Sequence, residues 1–141
     1  MPLSNAIAAS ASALEAQRAR LEVSVSNLAN AESTRGPDGR PYRRRDVLLS
    51  PEPIQTFGAT LGRAQAVGVK VRDVIEDRAP FKQRYEPSHP DADPQGYVSV
   101  PNVDVPEEMV NMLGAARAYQ ANLSAIGLIK ETLQRALELG K

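Results

Sequence analysis

The sequence predicts a mainly α-helical chain with a small β element: N- and C-terminal helices paired as an antiparallel coiled coil around a central hairpin-like β insertion. Three observations lead there. Of 11 prolines in 141 residues, all but Pro2 fall between Pro37 and Pro106, so both ends are free to form long helices. Both ends carry apolar residues at heptad-like spacing. In the middle, Val67, Val69, Val71 and Ile75 alternate with polar or small residues, the period of a half-buried strand.

The first helix is expected from about Ser4 to Ala31. Ile7, Leu14, Leu21 and Leu28 recur every seven residues, with Ala11 and Val25 at intermediate positions and Arg18 weakening the repeat. Ser4 is an acceptable N-cap, and Asn30 can close the helix by entering the left-handed region. Gly36-Pro37 and Asp38-Gly39 then mark a sharp break. The division expected is residues 1–34 and 102–141 as a discontinuous helical domain, 35–66 as a Gly/Pro/Arg-rich loop region, and 67–101 as the β element. Ser50 to Ala66, with Pro51 and Pro53, shows little periodicity and reads as loop. Phe81 to Tyr85 and Tyr97 to Val100 are two further short strand candidates, linked by a loop that holds Pro87, Pro90 and Pro94.

The last helix has the best-marked start. Asp104 can cap it, Glu107 stands three residues on as in a capping box, and Pro106 is tolerated in the first turn. Its expected seam is Met109, Met112, Ala116, Tyr119, Leu123, Ile126, Leu133 and Leu137, missing only at Lys130. Gly114 and Gly127 each cost about 1 kcal/mol in a helix interior. They read as simple tolerance or as the close approach of a neighbouring helix.

Composition narrows the function. There is no Trp and there are two Phe and four Tyr, so core material is thin and an isolated monomer is expected to be marginally stable. Seventeen basic and 17 acidic residues balance, which gives no overall reason to expect nucleic acid or an anionic membrane. Without cysteine there are no disulfides or thiolate sites. No stretch is long or apolar enough to span a bilayer, and no Lys or Arg precedes the apolar run from Ala6 to Leu14, against a cleaved signal peptide.

No catalytic or metal constellation is evident. His89, the one histidine, lies in the proline-rich loop and reads as solvated. Asp91 and Asp93 have a spacing seen in calcium loops, but Pro94 and the missing later ligands defeat the match. Glu107-Glu108 and Glu76-Asp77 have helix-start and solvent explanations. Accordingly no catalytic, cofactor or metal residue is assigned and no cofactor is expected. Arg35, Arg40, Arg43, Arg44 and Arg45, with Tyr42, make the one local charge imbalance. They read as a solvated loop or as a contact for acidic surfaces of neighbouring subunits. Asn27, Asn30 and Asn122 read as side chains that hydrogen-bond between helices and set their register.

Ser26-Asn27-Leu28-Ala29-Asn30-Ala31, followed by Tyr42, resembles the N-terminal signature of the bacterial flagellar axial proteins, the rod and hook family. Glu108-Met109-Val110-Asn111-Met112 through Ala116-Arg117-Ala118-Tyr119-Gln120-Ala121-Asn122 resembles that family's other signature. The Thr-Pro-Gly-Tyr turn usual after the first is replaced here by the longer Gly36-Pro37-Asp38-Gly39-Arg40-Pro41-Tyr42. That insertion, the length and Pro101-Asn102-Val103-Asp104-Val105 look like the family's proximal rod members. The resemblance covers about residues 1–47 and 95–141, and is loose over 50–66.

The resemblance implies a non-enzymatic structural subunit. Subunits of that family stack helically into the hollow rod that crosses the periplasm, transmits torque and conducts exported subunits. They travel through the flagellar type III export apparatus without a cleaved signal. Its partners would be other rod proteins, further copies of itself and that apparatus, with no nucleic acid and no membrane insertion. Ile7, Leu14, Leu21, Val25, Leu28 and the three asparagines, with the α-helical seam from Met109 to Leu137, would form the assembly interface. The alternative from the residues alone is a soluble coiled-coil adaptor or export chaperone.

Overall fold

The structure, a computed structural model, describes residues 2–54 and 67–139. In chain order it runs α1 (Pro2–Ala29), β1 (Arg45–Pro53), β2 (Val67–Glu76), β3 (Lys82–Tyr85), β4 (Tyr97–Val100) and α2 (Val105–Leu139). β1 pairs with β2 and β3 with β4, giving two separate two-stranded sheets. The chain is therefore mainly helical with a small β element. It gathers into two compact units. One takes the described parts of Met1–Ala19, Leu48–Asp73 and Gly114–Lys141, the other Arg20–Val47 and Val74–Leu113.

The ends of α1 differ from expectation. It starts at Pro2, so Ser4 lies inside the helix; proline suits a first turn because its missing N–H has no helical acceptor there. At the other end Asn30 does not enter the left-handed region, since among the described residues only glycines have a positive φ. Its amide Nδ2 instead donates to the Ser26 carbonyl at 2.8 Å, and its backbone N–H donates to the same oxygen at 3.2 Å.

β1 lies in the stretch read as loop. The prolines that argued against a strand are compatible with it because they are two residues apart and share one edge. The Asp77 N–H donates to the Arg44 carbonyl, Arg45 pairs with Glu76, and Glu52 pairs with Lys70. The start of β1 therefore lies beside the end of β2, an antiparallel pair. Proline is tolerated at strand positions whose N–H needs no ladder partner. The rest of the expected loop, residues 55–66, lies outside the described residues.

α2 starts as expected: Asp104 Oδ1 accepts the Glu107 N–H at 3.2 Å. Its covered face, however, runs Glu108, Met112, Ala115, Tyr119, Asn122, Ile126, Ile129 and Leu133, in alternating steps of four and three. That line shares Met112, Tyr119, Ile126 and Leu133 with the expected seam. Ala116 is half-buried, whereas Met109 (52%), Leu123 (55%) and Leu137 (71%) are more than half exposed. The gap at Lys130 disappears, because the covered residue there is Ile129. Adjacent apolar pairs such as Leu128-Ile129 admit two phases, and hydropathy disfavoured the one that buries Glu108.

On α1 the residues buried most completely are Ala16, Ser24 and Asn27. Ile7, Leu14, Leu21 and Leu28 flank them half-buried, while Ala11, Arg18 and Val25 are exposed. Small residues at the centre of the face allow close approach, and the large ones are left partly accessible. Beyond the backbone of its own helix turn, nothing among the described residues lies within 4 Å of an added Cβ at Gly114 or Gly127, so among these residues neither marks a close helix approach.

In the first unit α1 meets the β1–β2 pair through Ser12. Its hydroxyl accepts the Val69 N–H at 3.1 Å and donates to the Ala9 carbonyl at 2.8 Å. Gly68 makes room: a Cβ there would stand 2.7 Å from Ser12 Oγ. In the second unit β3 and β4 are antiparallel, with Tyr85 opposite Tyr97 and Arg84 opposite Val98. Val98, Pro101 and Val103 are its buried apolar residues.

Candidate assembly site

The second unit contains a buried polar junction where the last turn of α1, the first residues of β1 and the first turn of α2 converge. At its centre Asn27 is 1% exposed and uses its full hydrogen-bonding capacity. Oδ1 accepts from the Arg45 N–H and from the Tyr42 hydroxyl, each at 2.9 Å. Nδ2 donates to the Arg45 carbonyl at 2.8 Å and to Glu108 Oε2 at 3.1 Å. The amide thus pairs with both polar groups of Arg45 as a neighbouring strand would. The carbonyl of the preceding Arg44 faces the end of β2, so the backbone groups of Arg45 turn the other way and would otherwise lack a partner.

Glu108 is equally buried, at 1%. Its Oε1 receives Arg44 Nε at 2.7 Å while Oε2 receives Asn27, so both oxygens are engaged. Arg44 reaches Glu107 at 3.6 Å and Asp46 at 3.9 Å, and its backbone N–H donates to Asn102 Oδ1. Burial works against the Arg44 charge. The hydrogen bond and charge of Glu108, with Asp46 and Glu107, outweigh that and hold the guanidinium above its ordinary pKa. A buried pair of this kind is weak evidence for net stability, but removing either partner is costly. Its value lies in register: one set of hydrogen bonds fits, and a shift by one residue breaks all of them.

The other arginines of the loop are also used within the chain. Arg43 lies over the Phe81 ring at 4.4 Å and donates to the Asp77 and Ala79 carbonyls. Arg45 lies over Tyr42 at 5.6 Å and pairs with Glu76. Arg35 makes an exposed ion pair with Asp91 at 3.5 Å. Arg40 is exposed in the turn that Gly39 (φ 72°) completes. Arg43, Arg44 and Arg45 are thus tied to partners in the fold, while Arg35 and Arg40 are largely exposed.

The three asparagines part company. Asn27 bridges the helices, whereas Asn30 and Asn122 bond back to their own helix, to Ser26 and Ala118. Glu108 was missed because a glutamate in a first turn already has an explanation in the helix dipole. The available signal was its place four residues before Met112 in the alternative phase of the heptad. His89 Nδ1 accepts the Asp91 N–H, Asp91 accepts from Thr34, and Asp93 accepts the Gln95 and Tyr97 N–H groups, so these residues shape their loop.

Comparison with known proteins places the junction. The family model described as flagella basal body rod protein matches residues 7–37, which include Asn27. The model described as the C-terminal part of flagellar basal body rod FlgEFG proteins matches residues 95–139, which include Glu108. Over 141 residues the chain is 48% identical to the flagellar basal-body rod protein FlgC of Escherichia coli O6:H1, covering 100% of both chains. The chain belongs to the FlgC family of flagellar basal-body rod proteins. The FlgC protein of Bacillus subtilis is 42% identical, with 94% of each chain covered. That of Borreliella burgdorferi is 37% identical, over 99% of this chain and 98% of the relative. In this member of the FlgC family the bridge from Asn27 to Glu108 ties one matched segment to the other. Arg44 and Tyr42, which complete it, lie between them.

Proposed function

We propose that the chain is a structural subunit of the proximal rod in the flagellar basal body. It assembles helically with further copies and with other rod proteins into a hollow shaft that transmits torque and conducts exported subunits. It works by its interfaces and not by catalysis. The observation that carries this reading is the apolar surface left on α2: Met109, Val110, Leu113, Leu123, Leu128 and Leu137 are all more than half exposed. A single chain has no use for so much exposed apolar surface, whereas neighbouring subunits can bury it.

The half-buried Ile7, Leu14, Leu21 and Leu28 would add the α1 side of that interface. The discontinuous domain of residues 1–34 and 102–141 would form the tube, and the β element of 67–101 its outer contacts. The rod lies in the periplasm, and the chain reaches it through the flagellar export apparatus without cleavage of a signal. Among the described residues no helix is long and apolar enough to cross a membrane. Electron microscopy of basal bodies from cells lacking this chain tests the proposal. Basal bodies without a completed rod are expected, and an intact rod in motile cells would overturn it.

A further inference from the structure

The turn between α1 and β1 borders a cleft of about 420 Å³ within the second unit, lined among others by Arg35, Arg40, Arg43 and Arg45. Among the described residues two acidic side chains line it, Asp38 and Glu76. Glu76 already pairs with Arg45. The polar partners of Arg43 are the Asp77 and Ala79 carbonyls, so its charge meets dipoles and a ring but, among the described residues, no carboxylate. Arg35 is 70% exposed and its contact with Asp91 is long, a pairing worth little in water.

We propose that this cleft receives a carboxylate-bearing segment of a neighbouring rod subunit. The inference rests on the structural-subunit reading and names the chemistry of one contact. Stacking on Phe81 and hydrogen bonds to two carbonyls hold the Arg43 guanidinium in place, so little side-chain entropy is lost when it meets an anion. Arg35 and Arg40 are exposed cations on the same cleft and can reach the same group. Nucleic acid is disfavoured because Phe81 and Tyr42 are already covered by guanidinium groups and offer no face for base stacking. The chain as a whole is also neutral.

The test is genetic, with the full chain in its own cells. The double variant Arg35→Glu/Arg40→Glu reverses two exposed charges, at the cost of the one long, exposed ion pair of Arg35 with Asp91. It is expected to accumulate normally and to lose swimming, while Arg35→Lys/Arg40→Lys swims. Swimming suppressors of the reversed variant should replace an Asp or Glu by a neutral or basic residue in a rod protein. Their location in the gene for this chain identifies a second copy as donor, and in another gene names that protein. Should the double variant fail to accumulate, Arg40→Glu alone is read by the same criteria. Undiminished swimming by the reversed variant overturns the cleft and leaves the rod role, read from the deletion strain, unaffected. Suppression only by a basic residue restored at position 35 or 40 also overturns it, and points to phosphate or another non-protein anion.

Discussion

Around Asn27, Glu108 and Arg44, order is specified by buried polar groups whose donors and acceptors are matched one to one. Around Ser12 and Val69, the other unit relies on one hydroxyl, a missing Cβ at Gly68 and half-buried aliphatic residues, and it leaves Leu123, Leu128 and Leu137 largely exposed. Apolar contact is non-directional and tolerates several registers, whereas a desolvated hydrogen-bond network accepts one. The comparison teaches a difference in how order is specified: one unit holds a directional polar junction, the other rests on apolar contact, and both leave apolar surface on α2 for neighbours.

The sharpest way to test that difference is at the polar junction. Glu108→Ala leaves Arg44 and Asn27 with buried, unmatched groups and is expected to cost about 3–5 kcal/mol. Asn27→Asp loses both donors and sets a second carboxylate against Glu108, with a cost in the same range. Urea unfolding followed by circular dichroism measures both, and each variant should be non-motile. Near-wild-type unfolding midpoints would show that the junction does not set register.

The next test separates two residues that the heptad pattern treats alike. Ile126→Asp puts a charge on the covered face of α2 and should cost about 2–3 kcal/mol as well as motility. Leu123→Asp lies on the exposed stripe, so its stability should stay within about 0.5 kcal/mol of wild type while motility is lost. Equal stability losses for the two would refute the register described for α2.

In the first unit, Gly68→Ala should cost about 1–3 kcal/mol by overpacking against Ser12. Combined with Ser12→Gly, the double change should cost less than the sum of the two single ones, because the added methyl then has room. Strict additivity would mean that the approach of β2 to α1 is not limited there. Smallest is His89→Ala. It removes a single acceptor for the Asp91 N–H, so no more than about 1 kcal/mol is expected, with unchanged swimming.

Much of the fold was legible in the chain, because helix and strand periodicity and the placement of proline are local properties. The start of α2, the two long helices and strands β2 to β4 follow from them. β1 was not legible, since Pro51 and Pro53 forbid a strand only if their edge must be paired, and which edge is paired is a matter of topology. The candidate site was legible in part. Asn27 stood out as a polar residue within an apolar repeat, but Asn30 and Asn122 shared that mark and bond back to their own helix.

Sequence alone was enough for two proline-free helices, an irregular middle with short strands, and family signatures at both ends, since each is written in spacing and residue type. Tertiary structure alone selected Glu108 over Met109 as the first covered residue of α2 and gave Arg43, Arg44 and Arg45 their partners. The physical reason is that a carboxylate is tolerable at a buried position only where Arg44 and Asn27 arrive to match it. Those partners lie 64 and 81 residues away along the chain, beyond the reach of any local pattern.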